Sequence, residues 1–146
     1  LRYVDVNRDV EKLPQNDFDF IIIDTPPYIF EEINALVKMA DLVVIPTQAS
    51  INDLLAIDKT VQIIKENEAI DRSIIVFNRI KSNSSLKDKL NANFLELEVP
   101  IANTIINDYD AITNSIITKG VESRHKASAQ LQNLTTELMT KLLSNG

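Results

Sequence analysis

The segment FDFIIIDTPP, residues 18–27, joins an apolar run to a carboxylate and two prolines. The run Phe20–Ile23 predicts a strand covered on both faces, with Asp24 at its carboxyl end. A carboxylate beside apolar side chains is costly to desolvate unless a cation or several donors meet it. A hydrated Mg²⁺ ion suits this position, because it binds one or two carboxylates together with phosphate oxygens. Asp24 is therefore a candidate magnesium residue, and the alternative is an aspartate that caps the following helix.

Composition limits the class of protein. The chain has 146 residues, of which 45% are hydrophobic and 25% are charged, as expected for one globular domain spanning residues 1–146. The absence of cysteine excludes disulfides and thiolate metal sites. The net charge of -6 argues against a generally basic nucleic-acid binder. With only two glycines, the chain contains no glycine-rich phosphate loop. No apolar run is long enough to span a bilayer, so no membrane association is expected.

Apolar periodicity predicts alternating strands and helices. Buried strands are predicted at Phe20–Ile23, Leu42–Ile45, Ile74–Phe77 and Ile101–Ile106. Helices are predicted around residues 29–40, 54–70, 86–94, 111–117 and 127–142, the second opening at Ser50-Ile51-Asn52-Asp53 and the fourth ending at Gly120. This order implies an α/β fold with a parallel sheet flanked by helices. Ligands of such sheets bind at the carboxyl ends of the strands, which is where Asp24 is expected.

Four segments, in order, resemble the ParA/MinD-type ATPases, the deviant-Walker group of P-loop NTPases that segregates plasmids and chromosomes. FDFIIIDTPP is similar to the Walker B strand and switch II, and ADLVVIPTQASINDLLAIDKTVQII, residues 40–64, to the next strand and helix. IIVFNRIK, residues 74–81, resembles the strand that ends near the nucleotide base. VPIANTIINDYDAITNSIITKGVE, residues 99–122, resembles the passage into the last helix. The resemblance covers about residues 18–142, and small plasmid-type ParA proteins are the nearest variety.

The resemblance implies roles for several residues. Asp24 would hold magnesium through a water, Asn78 would contact adenine, and Arg79 would pair with phosphate or stack on the base. Thr47 lies where the family contacts base or ribose, while capping is the favoured role of Asp53. The alternatives are a strand-end turn for Asn78 and a solvated side chain for Arg79. Implied cofactors are ATP and Mg²⁺.

A small basic cluster precedes and opens the last helix. Lys119, Arg124 and Lys126 surround the single histidine, His125, which does not by itself make a metal site. In ParA relatives, basic residues of this region bind nucleoid DNA without sequence preference, which phosphate contacts alone can support. A solvated helix start is the favoured alternative for so short a cluster. The last helix lacks the features of a MinD-like membrane anchor.

The KGGxGKT phosphate loop of the family and its switch I strand are not found in the sequence. The expected fold is therefore an N-terminally truncated P-loop NTPase (ParA/SIMIBI-type), inactive as an ATPase by itself. The family implies a ParB-type partner, nonspecific nucleoid DNA, a homodimer and a cytoplasmic, nucleoid-associated location. Loss of the phosphate-loop strand is expected to leave an open sheet edge that self-associates.

Two other classes of protein share features with this sequence. A response-regulator receiver would use Asp24 as phosphoacceptor and Thr47 on the next strand, but the later strand ends Asn78-Arg79-Ile80-Lys81-Ser82, without the required lysine and proline. A non-catalytic ParA-like protein that dimerises or binds a partner is the other alternative. An upstream phosphate-loop sequence would favour the ATPase, and its absence would favour the non-catalytic protein.

Overall fold

A computed structural model of the chain describes residues 18–26, 31–48, 51–81, 96–114, 121 and 125–144. These residues belong to two compact units, Leu1–Ala40 and Asp41–Gly146. The expectation of a single domain over residues 1–146 stays a prediction.

The second unit is built on two parallel strands joined by a helix. Strand β1 spans Val43–Thr47, helix α2 spans Ile51–Glu66 and strand β2 spans Ser73–Phe77. The strands pair in register, from Val43 opposite Ser73 to Thr47 opposite Phe77. The predicted strands at these positions, their parallel direction and the helix start at Ile51 are confirmed. The mixed α/β class is confirmed with them.

A third chain segment borders β2 on the side away from β1. The Ile75 amide donates to the Pro100 carbonyl (2.8 Å), and the Ile75 carbonyl accepts from Ala102 (2.8 Å). Isolated parallel bridges join Ile75 to Ile101 and Ile80 to Asn107. The predicted strand at Ile101–Ile106 therefore exists only as two short contacts, because residues 103–105 carry no ladder bond in the part of the chain that the structure describes.

Helix α2 ends by backbone geometry, without glycine. Glu68 adopts the left-handed region (φ 52°), which few residues other than glycine, asparagine and aspartate occupy readily. The amides of Glu68 and Ala69 then donate to the Lys65 and Ile64 carbonyls, which gives the Schellman pattern. The helix also buries one apolar stripe, with Ile57 at 4%, Val61 at 3% and Ile64 at 0% exposure. The stripe predicted from residues 54–70 is confirmed at these three positions, whereas Leu55 is 67% exposed and Ile70 lies beyond the end of the helix.

Helix α4, Lys126–Ser144, closes the unit as predicted from the spacing of its leucines. Leu134 and Leu138 pack against the cluster of Ile74, Val76 and Ala102. A short helix α3, Asp110–Thr113, precedes it and begins where the helix 111–117 was predicted. Residues 115–120, with the predicted stop at Gly120, and the whole predicted helix 86–94 lie outside the described residues.

Glu137 of α4 holds the segment beside β2 by its carboxylate. Its oxygens accept from the amides of Asn103 (2.6 Å) and Thr104 (2.9 Å), and from the Asn103 side chain (3.1 Å). Partial burial by itself would raise the pKa of Glu137, but these hydrogen bonds outweigh it and lower the pKa below the ordinary value. The folded protein therefore favours the ionised form of the Glu137 carboxylate.

In the first unit, one predicted helix is present and one predicted strand is not. Helix α1, Ile33–Met39, lies within the predicted helix 29–40 and buries Leu36 and Val37. Residues 18–26, however, contain no strand, so the predicted buried strand Phe20–Ile23 is wrong. Strand backbone is stabilised by hydrogen bonds to a neighbour, and β1 and β2, the strands described, pair only with each other. An apolar run without such a neighbour has nothing to fix it as a strand.

No helix in the described ranges combines the length and apolar character needed to cross a lipid bilayer.

Candidate functional site

The carboxyl ends of β1 and β2 bring two of the predicted site residues together. The Asn78 amide donates to the Thr47 carbonyl (2.8 Å), so the two residues extend the ladder by one bond. Thr47 is buried, and its hydroxyl donates to the Gln48 carbonyl (3.1 Å). The Asn78 Oδ1 accepts from the Arg79 amide (3.0 Å), and no residue in the described ranges accepts a bond from its Nδ2. This half-buried amide group can therefore donate to a ligand at the strand ends.

Arg79 leaves the sheet at a sharp backbone turn. Its φ of 56° is left-handed, an uncommon conformation for a residue with a long side chain. The guanidinium Nε lies 3.4 Å from Asp108 Oδ1, and the two side chains are 62% and 40% exposed. An ion pair of this exposure contributes little stability. Arg79 therefore stands at the strand ends with a carboxylate partner that an anionic ligand can replace.

A pair of amide side chains fixes the next stretch of chain. Asn107 donates its backbone N–H to Gln130 Oε1 (3.0 Å), and Gln130 Nε2 donates to Asn107 Oδ1 (2.6 Å). Asn107 Nδ2 also donates to the Ile80 carbonyl (2.8 Å). Helix α4, which carries Gln130, is thereby tied to the turn after β2 and to Asp108. These bonds hold the backbone that presents Arg79.

Sequence reasoning missed Asn107, Asp108 and Gln130. Asparagine and aspartate after an apolar run indicate an ordinary turn, and Gln130 is one of several polar residues on α4. Their meeting is a long-range contact, 23 residues apart for the amide pair and 29 for Arg79 and Asp108. No local spacing marks such a contact.

Asp24 belongs to the other unit and is exposed. The residues before Asp24 form no strand, so its expected position at the end of a strand is not found. This finding does not test the role of Asp24 in holding magnesium. No group of three or more acidic or histidine side chains able to hold a metal occurs among the described residues. A single exposed carboxylate still fits a Mg²⁺ ion held through water, since most of its ligands come from water and phosphate.

Only part of the basic cluster belongs to the described residues. Lys126 is exposed at the first position of α4, whereas Lys119 and Arg124 lie outside the described residues. His125 Nδ1 accepts from the Ala127 amide (3.1 Å), so the histidine caps α4. Its ring also meets Tyr109 edge to face, with centroids 5.3 Å apart. The histidine thus has a structural role at the helix start.

A shallow surface depression of about 300 Å³ lies elsewhere, on the C-terminal half of α2, lined by Asp58, Val61, Gln62, Lys65 and Glu66. All five side chains come from one helix, which leads to the amino end of β2. The depression is lined by neither Thr47 nor Asn78, and the groups that it offers to a ligand are mainly solvated charged side chains. The strand ends remain the better candidate site.

No protein-family model matches the chain, and no curated protein shows significant sequence similarity to it.

Proposed function

We propose that this chain supplies the Walker B and base-contacting segments of a ParA-type ATPase that partitions plasmid or chromosome DNA. The proposal rests on the resemblance of its four segments and on one structural observation. Thr47 and Asn78, which the resemblance assigns to base or ribose contact, lie side by side at the carboxyl ends of parallel strands. This edge is where open α/β sheets bind ligands.

The roles at the strand ends follow from the available groups. Asn78 Nδ2 donates to an acceptor on the adenine ring, such as a ring nitrogen, for which a side-chain amide is suited. Arg79 exchanges its weak contact with Asp108 for a phosphate oxygen or stacks on the base. The Asn107–Gln130 bonds keep the backbone of this turn in place.

Asp24 holds Mg²⁺ through a water in this proposal. When bound, Mg²⁺-ATP would supply the phosphate that reacts, and its Mg²⁺ ion would offset the negative charge of that phosphate. The chain's own contribution is a carboxylate that orients the hydrated ion. Because the sequence has no phosphate loop, the 146-residue chain by itself does not hydrolyse ATP. Steady hydrolysis by the purified chain, lost in Asp24→Ala, would contradict this account.

Nucleotide titration followed by NMR tests the strand-end site directly. Adding ADP to the isotope-labelled chain shifts the amide resonances of Thr47, Gln48, Asn78 and Arg79, with weak affinity because the phosphate contacts are missing. GTP gives smaller shifts, and Asn78→Ala lowers the ADP affinity by roughly tenfold or more. Gln132→Ala, an exposed amide on α4, is the matched control and leaves binding unchanged. Equal shifts with ADP and GTP, or shifts confined to α2, would refute adenine recognition here.

DNA binding is proposed for Lys119, Arg124 and Lys126 in the ATP-bound homodimer, and a ParB-type partner stimulates release. Replacing both Arg124 and Lys126 by glutamate lowers nonspecific affinity and flattens its salt dependence, since fewer counterions are released. Lys59→Glu, an exposed charge on α2, changes neither. An unchanged salt slope in the double variant would return the cluster to a solvated helix start.

A non-catalytic interaction protein is the second candidate function. It is favoured by the apolar side chains of residues 18–22, which are exposed rather than buried. A chain that shows no ADP-dependent shifts but associates with itself or a partner would support this candidate.

A further inference from the structure

Among the described residues, strand β1 is paired along one edge only. The paired edge of β1 faces β2 and its flanking residues. There the Val43 amide donates to the Arg72 carbonyl (2.8 Å), and the Thr47 carbonyl accepts from the Asn78 amide (2.8 Å). Backbone groups of alternate residues point to opposite edges, so Val44 and Pro46 direct theirs away from β2. Val44 is 41% exposed, and no strand in the described ranges pairs with this edge. The Val44 amide and two carbonyls are thus available for pairing, and Pro46, lacking an N–H, forfeits no bond to β2.

A second feature is an apolar segment that has no strand partner among the described residues. Residues 18–23 have no strand structure, yet they concentrate the exposed apolar surface of the described chain. Of the seven large hydrophobic side chains found exposed there, four lie within five residues: Phe18 at 41%, Phe20 at 58%, Ile21 at 40% and Ile22 at 92%. Contiguous apolar exposure of this kind marks an interaction surface.

We propose that residues Phe20–Ile23 of one copy of the chain add as a strand to the open edge of β1 in a second copy, and that the exchange is reciprocal. The segment is uncharged and apolar on both faces, as a strand inside an α/β sheet must be. Its length suits the five residues of β1. Pairing satisfies backbone groups on both sides and covers the apolar run, and neither is achieved within one copy by the residues that the structure describes.

The area involved is sufficient for a stable dimer. The four exposed side chains, one just before the segment (Phe18) and three within it (Phe20, Ile21 and Ile22), present roughly 400 Å² per copy, given the size of such side chains. Two segments and the two edges that receive them then bury roughly 1,600 Å², the size of a standard specific interface. Pairing of β1 with β1 alone would leave residues 18–22 exposed, so the exchange explains both features together. It requires no nucleotide and does not depend on the proposed ATPase.

Light scattering and sedimentation equilibrium on the nucleotide-free chain test the exchange. We expect a dimer at micromolar concentration. Ile22→Lys and Val44→Lys each weaken dimerisation by roughly tenfold or more, since each places a charge in the junction. Leu143→Lys, at a leucine of 74% exposure on α4, is the matched control and leaves the dimer intact. Circular dichroism verifies that each variant is folded. Because Ile22 is 92% exposed, Ile22→Lys does not disturb packing in the single copy, so it tests the proposal even if Val44→Lys does not fold.

Mixing the two variants distinguishes exchange from other dimers. The heterodimer of Ile22→Lys with Val44→Lys contains one unaltered segment on one unaltered edge, so the mixture associates more tightly than either variant alone. A β1–β1 dimer would be insensitive to Ile22→Lys, and a contact between two 18–23 segments would be insensitive to Val44→Lys. Either insensitivity, a mixture without recovery, or a wild-type monomer overturns the proposal.

Discussion

Strand β2 and the segment Phe20–Ile23 are both uninterrupted apolar runs, yet they have opposite fates. All five residues of β2 are buried, and Ile75 is completely inaccessible to solvent. Ile22, by contrast, is 92% exposed. Strand β2 has β1 on one side and the segment around Ile101 on the other. The other run has no ladder partner in the part of the chain that the structure describes.

The contrast shows that an apolar run is not sufficient by itself to form a buried strand. Backbone hydrogen bonds to neighbours and side chains above and below complete it. For β2 these come from β1, from residues 100–107, and from α4 through Leu134 and Leu138. Substitutions in the two runs and in the contacts around β2 test that dependence.

The same substitution in the two runs should have very different costs. Ile75→Ala removes fully buried methyl groups and leaves a cavity, so the free energy of unfolding falls by about 2–5 kcal/mol. Ile22→Ala at an exposed position changes it by about 0.5 kcal/mol or less. Urea unfolding at a concentration low enough to keep the chain monomeric measures both. Similar losses at the two positions would mean that residues 18–23 are packed in solution, and the contrast would fail.

The amide pair that holds the neighbour of β2 should have an intermediate effect. Asn107→Ala removes the acceptor of Gln130 Nε2 and one of the two donors to the Ile80 carbonyl, which costs about 1–3 kcal/mol. Amide hydrogen exchange at Ile80 and Asp108 accelerates with it, since both amides belong to this short ladder. Gln132→Ala on the exposed side of α4 serves as control and changes neither quantity. Unaltered exchange in Asn107→Ala would show that β2 keeps its neighbour without the amide pair.

The Glu137 contacts give the smallest effect and a specific pH dependence. Glu137→Gln lowers stability at neutral pH by about 1 kcal/mol, after allowance for solvent screening. Because the folded-state pKa lies below the ordinary value of 4.5, the contribution is present above that pH. It disappears as the pH falls through the folded-state pKa, so the two proteins converge in acid.

Urea unfolding between pH 7 and pH 3 measures this convergence. Glu98→Gln is the control, because hydrogen bonding to Lys65 lowers the pKa of Glu98, but that side chain is 68% exposed. Its replacement should leave stability unchanged. A constant difference between wild type and Glu137→Gln across this range would exclude the carboxylate charge as the source of the stabilisation.

The candidate site was predictable in part for the same physical reason. Thr47 and Asn78 each follow an apolar run, and the carboxyl ends of neighbouring parallel strands meet at one edge. Asp24 was assigned by the same logic, but its run has no strand neighbour, so its placement failed. The contact of Arg79 with Asp108 could not be inferred, because it depends on a left-handed turn and on the path of a distant segment.

The sequence by itself determined the local units: the parallel β1–α2–β2 order, the start of α2 at Ile51 and the apolar face of α4. Periodicity and helix-start signals are properties of a few neighbouring residues, so they can be read without the fold. Only the tertiary structure decided which apolar run becomes a strand and which polar residues converge at the strand ends. Pairing and convergence join residues far apart in the chain, and the free energy that selects them comes from neighbours that no local pattern contains.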